Sequence, residues 1–165
     1  MPAKRLKSPH KARSPSKATL DKARLKKIEK VLDSLWAQAV KAQWGNKCGW
    51  PGCQYTSNIA AHHYIHKAQG KRARWNLDNG IALDFYHHIQ VVHRQGYTEP
   101  IRDAIIEKIG TDRFEQLKID VQGIWKPTAQ ELEIFREEFA ARLSNQLENP
   151  ETYDDLDRIL ESCGL

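Results

Sequence analysis

Cys48-Gly-Trp-Pro-Gly-Cys53, Ala60-Ala-His62-His63-Tyr-Ile-His66 and Asn79-Gly-Ile-Ala-Leu-Asp84-Phe-Tyr-His87-His88, with His93 five residues further on, are the segments on which the reading turns. Residues 46 to 93 follow no helical period and are rich in His, Cys, Trp and Gly; six of the seven histidines fall in the 32 positions from 62 to 93. A lone histidine is usually structural. At this density, beside a cysteine pair and on either side of an Asn-Gly turn, the set points to chemistry, although His66 alone fits a structural role. Neutral imidazoles hold divalent ions or take a proton from water near neutral pH, and adjacent histidines can divide those two tasks.

The two thiols of Cys48 and Cys53 flank a tight Pro-Gly turn and can bind one ion from a loop, as zinc knuckles do. The remaining half of a tetrahedral site is best sought in Asp84 and His87, two ligand types that zinc accepts. The alternative is a pair of reduced cysteines without a ligand. Cys163 is read as an incidental thiol. With three cysteines in all, a disulfide framework is not indicated.

Outside this stretch the pattern turns helical. Leu25, Ile28, Leu32, Leu35, Trp36 and Ala39 recur at helical spacing after Thr19, a candidate N-cap, and the helix is expected to end near Gly45. Its first turns carry Lys22, Arg24, Lys26, Lys27 and Lys30, which suit either a phosphate backbone or plain solvent. Ile101, Ile105 and Ile109 predict a second helix closed by Gly110, and Thr111 is positioned to cap a short one through Leu117. Thr128 and Glu131 form a capping box before Leu132, Phe135, Phe139, Leu143 and Leu147, one face of a longer helix expected to pack on the core. Residues 152 to 161 can add a last acidic turn or two. The chain divides into a basic arm (1–17), an N-terminal helix (18–45), a core (46–96) and a C-terminal helical region (97–165).

The 165 residues leave room for one compact domain and its tails. Charge is segregated: residues 1 to 17 hold six Lys or Arg and no acid, whereas residues 129 to 165 hold ten Asp or Glu against three Arg. The arm has few large apolar side chains and is expected to be disordered in isolation. With a net charge of +5, a basic front end fits a polyanion, because Lys and Arg release counterions from phosphates; a solubilising tail is the plainer alternative. No apolar run reaches membrane-span length and no secretory-type apolar stretch follows the basic start, so a cytoplasmic protein without a membrane partner is expected.

The quoted residues resemble the HNH, or ββα-metal, endonucleases, especially small phage members such as the NinG-like recombination nucleases. In that family a cysteine pair precedes a strand ending in Asp-His or His-His, matched by His62-His63. A loop then leads to Asn-Leu-Val-x-Leu-Cys-x-x-Cys-His, matched position for position from Asn79 to His88, with Asp84 and His87 in place of the two cysteines. The resemblance covers about a third of the chain and implies an α+β fold: a small ββα-metal finger with a structural zinc knuckle (Cys48, Cys53, Asp84, His87) embedded among flanking α-helices.

The implied activity is metal-dependent hydrolysis of DNA, leaving a 5′-phosphate and a 3′-hydroxyl. His62 and His88 would hold Mg²⁺ or Mn²⁺, His63 would act as general base and Asn79 would position it. One active site in a monomer, the favoured state, would nick one strand, in the bacterial cytoplasm if the chain is phage-encoded. His93 is a possible third ligand, but five residues on a regular helix overshoot a full turn by about 140°. Gly70-Lys71-Arg72-Ala-Arg74-Trp75-Asn76 looks like the family's Arg-Trp stretch, which assigns Arg72 and Arg74 to DNA phosphates, with Lys67 and Lys71 as weaker candidates. Trp75 reads as a core anchor in preference to a base-stacking platform. The competing class is a zinc-finger module that binds nucleic acid without cutting it; it leaves the surplus histidines unexplained.

Overall fold

Helix α1 (Lys17–Gln43) begins where Ser16, in extended conformation, turns its hydroxyl back to accept the Thr19 N–H. The cap therefore lies three residues before Thr19, whose own hydroxyl bonds that of Ser16 at 2.9 Å. Ile28, Val31, Leu32, Leu35, Trp36, Ala39 and Val40 are buried along one stripe of α1, and its lysines up to Lys30 stay exposed. The computed structural model describes residues 16–122 and 125–146. Expectations for residues 1 to 15, Leu147, the acidic segment 152 to 161 and Cys163 lie outside the described residues.

Two short strands, β1 (Ala60–His63) and β2 (Gly80–Leu83), pair antiparallel with His62 opposite Ile81 and His63 opposite Gly80. A lone pair of four-residue strands is marginal in water, so its stability must come from what covers its faces. Side chains alternate across a strand, which separates the faces cleanly. Ala61, His63 and Gly80 meet α1, where Trp36 and Val40 approach so closely that a Cβ on Gly80 would lie 2.3 Å from a Val40 methyl. Ile81 and Leu83 project the other way, into a second core with Cys48, Val92, Ile101, Ile105 and Phe114. Each fully buried Ile or Leu contributes roughly 1.5–3 kcal/mol, enough for these few residues to hold the sheet between its two layers.

A π-helix (Tyr86–Arg94) follows β2 through Asp84 and Phe85. Helices α2 (Glu99–Ile109) and α3 (Thr111–Val121) meet at Gly110, whose φ of 85° favours glycine. Helix α3 runs one turn beyond the expected end because Val121 packs on Gly70, where a Cβ would come within 2.7 Å of its methyl. Helix α4 (Ala129–Gln146) opens with the expected capping box: Glu131 accepts from the Thr128 backbone N–H, and Thr128 Oγ1 accepts from the Glu131 N–H. Leu132, Phe139 and Leu143 then pack against α1. The result is a mixed α/β domain with two strands among helices, consistent with a ββα-metal-type arrangement in general. Among the described residues no helix is long and apolar enough to cross a membrane.

Candidate functional site

Two clusters of metal-ligand type lie on either side of the start of the π-helix: Cys48, Cys53, Asp84 and His87 in one, and His62, His88 and His93 in the other. Within each, one donor atom from every residue lies within 4.8 Å of the rest. His87 and His88 are neighbours in sequence yet serve different clusters, because successive helical residues point in different directions.

In the first cluster Cys53 Sγ lies 3.2 Å from Asp84 Oδ2, Cys48 Sγ 3.6 Å from His87 Nδ1, and Asp84 Oδ2 2.7 Å from His87 Nδ1. Zinc bond lengths imply donor-to-donor edges of about 3.3–3.8 Å in a tetrahedron, so the two sulfur contacts are near that size. The shorter third contact is a hydrogen bond that an ion would replace. Burial pushes the Cys48 thiol up to about 12, so the thiolate needs a cation beside it. Burial also raises Asp84, but the His87 backbone N–H, its ring and the Cys53 thiol outweigh this and hold the carboxyl well below the usual range. Trp50 stacks on the His87 ring at 4.7 Å and fixes its plane. The donor set, two thiols, a carboxyl and an imidazole, suits zinc.

The second cluster joins β1 to the π-helix. His62 leaves the sheet on the Ile81 side, and its ring centroid is 5.2 Å from that of His88 and 5.3 Å from that of His93. His88 and His93 bring their Nε2 atoms to 3.2 Å. The five-residue spacing that misses on an α-helix fits here because π-helical hydrogen bonds run from i to i+5, which brings such residues onto one side. Burial lowers His62 to about 3, helped by His88 and His93, and burial with His93 lowers His88. The His62 imidazole is thus neutral near neutral pH, with a lone pair available for an ion, and His88 is shifted in the same direction.

His63 is not part of either cluster. Leaving β1 on the opposite face from His62, it lies flat on Trp36 of α1, with ring centroids 3.6 Å apart and planes 9° from parallel. Its Nε2 is 2.7 Å from the Arg74 carbonyl oxygen. A carbonyl only accepts, so Nε2 carries the hydrogen and Nδ1 keeps its lone pair. Burial lowers the affinity of His63 for a second proton, against the opposing pull of that carbonyl. His62 and His63 are still close enough for charge on one to be felt by the other.

Asn79 is fully buried and uses its whole amide: Nδ2 donates to the carbonyls of Ile65 and Ala73, and Oδ1 accepts from the Ile65 N–H. It ties Ile65 and Ala73 of the long β1–β2 loop to the start of β2, the second of them one residue from the carbonyl that His63 uses. The basic residues of this loop have different environments. Arg72 is exposed; the side chain of Lys71 lies outside the described residues; Lys67 is half exposed, with Nζ 3.8 Å from Asp33. Arg74 is 14% exposed and bridges Asp33 at 2.7 Å and Glu29 at 3.1 Å. Its charge is already matched by two carboxylates.

Asp33 belongs to no motif, and residue spacing marks Trp36 only as one member of the apolar stripe of α1. One signal was present: Asp33 stands between Leu32 and Leu35, an acid beside the apolar stripe of a helix rich in lysine. Comparison of the chain with family models, with curated proteins and with solved structures returns no match in any of the three.

Proposed function

We propose that this chain is a metal-dependent DNA endonuclease of the HNH, or ββα-metal, type, with residues 46 to 96 as its core and the surrounding helices as support. The observation that carries the reading is the convergence of His62, His88 and His93 beside a fourth histidine, His63, whose Nδ1 lone pair is kept free by the Arg74 carbonyl. Three ligands for one ion and one unligated base are what phosphodiester hydrolysis requires. A plain zinc-binding module has no use for the second cluster.

An ion held by the three imidazoles would supply Lewis acidity toward a phosphate oxygen. His63 accepts the proton of the attacking water at Nδ1, and its flat contact with Trp36 restricts the ring to one plane. Asn79 holds the carbonyls of Ile65 and Ala73, the second of them one residue from the Arg74 carbonyl that orients the ring. Arg72, Lys67 and Lys71 are assigned to the DNA backbone, and Arg74 to the framework. Cys48, Cys53, Asp84 and His87 would hold structural zinc, which would anchor the first turn of the π-helix. Of the Mg²⁺ and Mn²⁺ expected from sequence, neutral nitrogen donors favour the transition ion, since Mg²⁺ prefers oxygen and gives up its waters reluctantly.

Incubation of supercoiled plasmid with the protein and Mn²⁺ should convert it to the nicked circle, and EDTA should stop the reaction. A protein that is folded, loaded with zinc, binds DNA and leaves the plasmid intact with Mn²⁺, Mg²⁺, Co²⁺ and Ni²⁺ is the non-cutting module.

A further inference from the structure

Helix α1 grips the segment that orients His63 at several points. Asp33 Oδ1 accepts from Arg74 Nε at 2.8 Å and from Trp75 Nε1 at 2.9 Å, while Oδ2 accepts from the far Arg74 nitrogen at 2.7 Å. Glu29, one turn earlier, takes the third guanidinium nitrogen. Trp36, one turn later, donates its Nε1 hydrogen to the Asn76 carbonyl at 3.0 Å and stacks on His63. Residues three and four apart share one side of a helix, so Glu29, Asp33 and Trp36 act as a single edge. That edge holds the side chains of Arg74 and Trp75 and the carbonyl of Asn76, and the Arg74 peptide between them aims its carbonyl at His63 Nε2.

We infer that Asp33 is a positioning residue for the base: by clamping Arg74 and Trp75 it fixes the Arg74 carbonyl, and that carbonyl holds the His63 hydrogen on Nε2 and leaves Nδ1 open. The inference rests on the reading of His63 as the base. A two-point carboxylate–guanidinium clamp is geometrically demanding, and the Trp75 bond uses a further lone pair of the same carboxylate. Only an acid at position 33 supplies all three acceptor positions. Asparagine keeps the shape, but it replaces one oxygen with a donor that faces the guanidinium.

The test compares wild type, Asp33→Asn, Arg74→Lys and His63→Ala, each first checked for wild-type circular dichroism and zinc content. In Asp33→Asn, kcat for plasmid nicking should fall about tenfold with KM unchanged within about twofold, as the loss of a supporting contact does. In ¹⁵N-labelled protein the His63 ring nitrogens should move from a single Nε2–H tautomer toward a mixture. Arg74→Lys, which keeps the charge and loses the fork, should shift both readouts the same way and supplies them if Asp33→Asn does not fold. A folded Asp33→Asn or Arg74→Lys protein with wild-type kcat and an unchanged tautomer overturns the role of Asp33. Retention of full turnover by His63→Ala overturns the base itself, and the positioning inference with it.

Discussion

The imidazoles of His88 and His93 face each other, Nε2 to Nε2 at 3.2 Å, across a five-residue spacing that only a π-helix can close. A π-bulge amounts to one extra residue within an α-helix. Removing Gln90 should therefore return the pair to four-residue α-helical spacing with the rings still on one side, at the loss of the Arg94–Gln90 hydrogen bond. Inserting an alanine after Gln90 should swing His93 about 100° around the axis. Mn²⁺ affinity measured by calorimetry should stay within about tenfold of wild type in the deletion and fall about a hundredfold in the insertion, the scale of a disturbed ligand shell. Equal affinities in the two variants would remove His93 from the site.

The two adjacent histidines of β1 should separate by function because they leave opposite faces of the sheet. His62→Ala removes a ligand and should lose both Mn²⁺ binding and nicking. His63→Ala should keep Mn²⁺ binding, DNA binding and thermal stability near wild type while turnover falls about 10²–10⁴-fold, the usual range for a lost general base. If His63→Ala also failed to bind Mn²⁺, the division of labour would be wrong.

Much of this arrangement was legible from residue type and spacing. The grouping of Cys48, Cys53, Asp84 and His87 was legible because residues able to share an ion come in short loops and helical turns whose spacing is written in the sequence. His93 was legible only as a possible third ligand, because nothing in the residue pattern marks the helix as widened at residues 86 to 94. The Thr128–Glu131 box was readable because a cap is a local interaction, whereas Thr19, the expected cap of the first helix, gives way to Ser16, whose hydroxyl faces the first turn. Arg74 was the least legible: a cation in a basic loop looks like a phosphate contact until folding brings Glu29 and Asp33, more than forty residues away, against it. Long-range pairing of this kind leaves no period in the chain.

Zinc at the knuckle should stabilise the fold, since Cys48 belongs to the same buried core as Ile81, Leu83 and Phe114. Cys48→Ser and chelator treatment should each lower the melting temperature by well over ten degrees, because metal binding in such small sites is worth several kcal/mol of folding free energy. Melting curves with and without added zinc, beside metal analysis of the purified protein, check this. A melting temperature that ignores both treatments would leave the four residues as a hydrogen-bonded cluster with no structural ion.

Proton release gives the most direct reading of the histidine trio. An ordinary imidazole, with a pKa near 6.5, is mostly protonated at pH 6, and three of them would shed roughly two protons on binding an ion. Burial, reinforced by His88 and His93, lowers His62 to about 3, so at pH 6 it is already neutral and releases none. His88 is lowered in the same direction by burial and by His93, and gives up less than an ordinary imidazole. Because a depressed pKa reduces the competition between proton and metal, affinity should fall less steeply from pH 7 to pH 6 than it would for an unshifted trio. Calorimetric titration of the zinc-loaded protein with Ni²⁺ at pH 6, in two buffers of different ionisation enthalpy, counts the protons. Fewer protons than an unshifted trio would release are expected; roughly two or more would mean that the three rings stand apart in solution, each solvated as an isolated histidine would be.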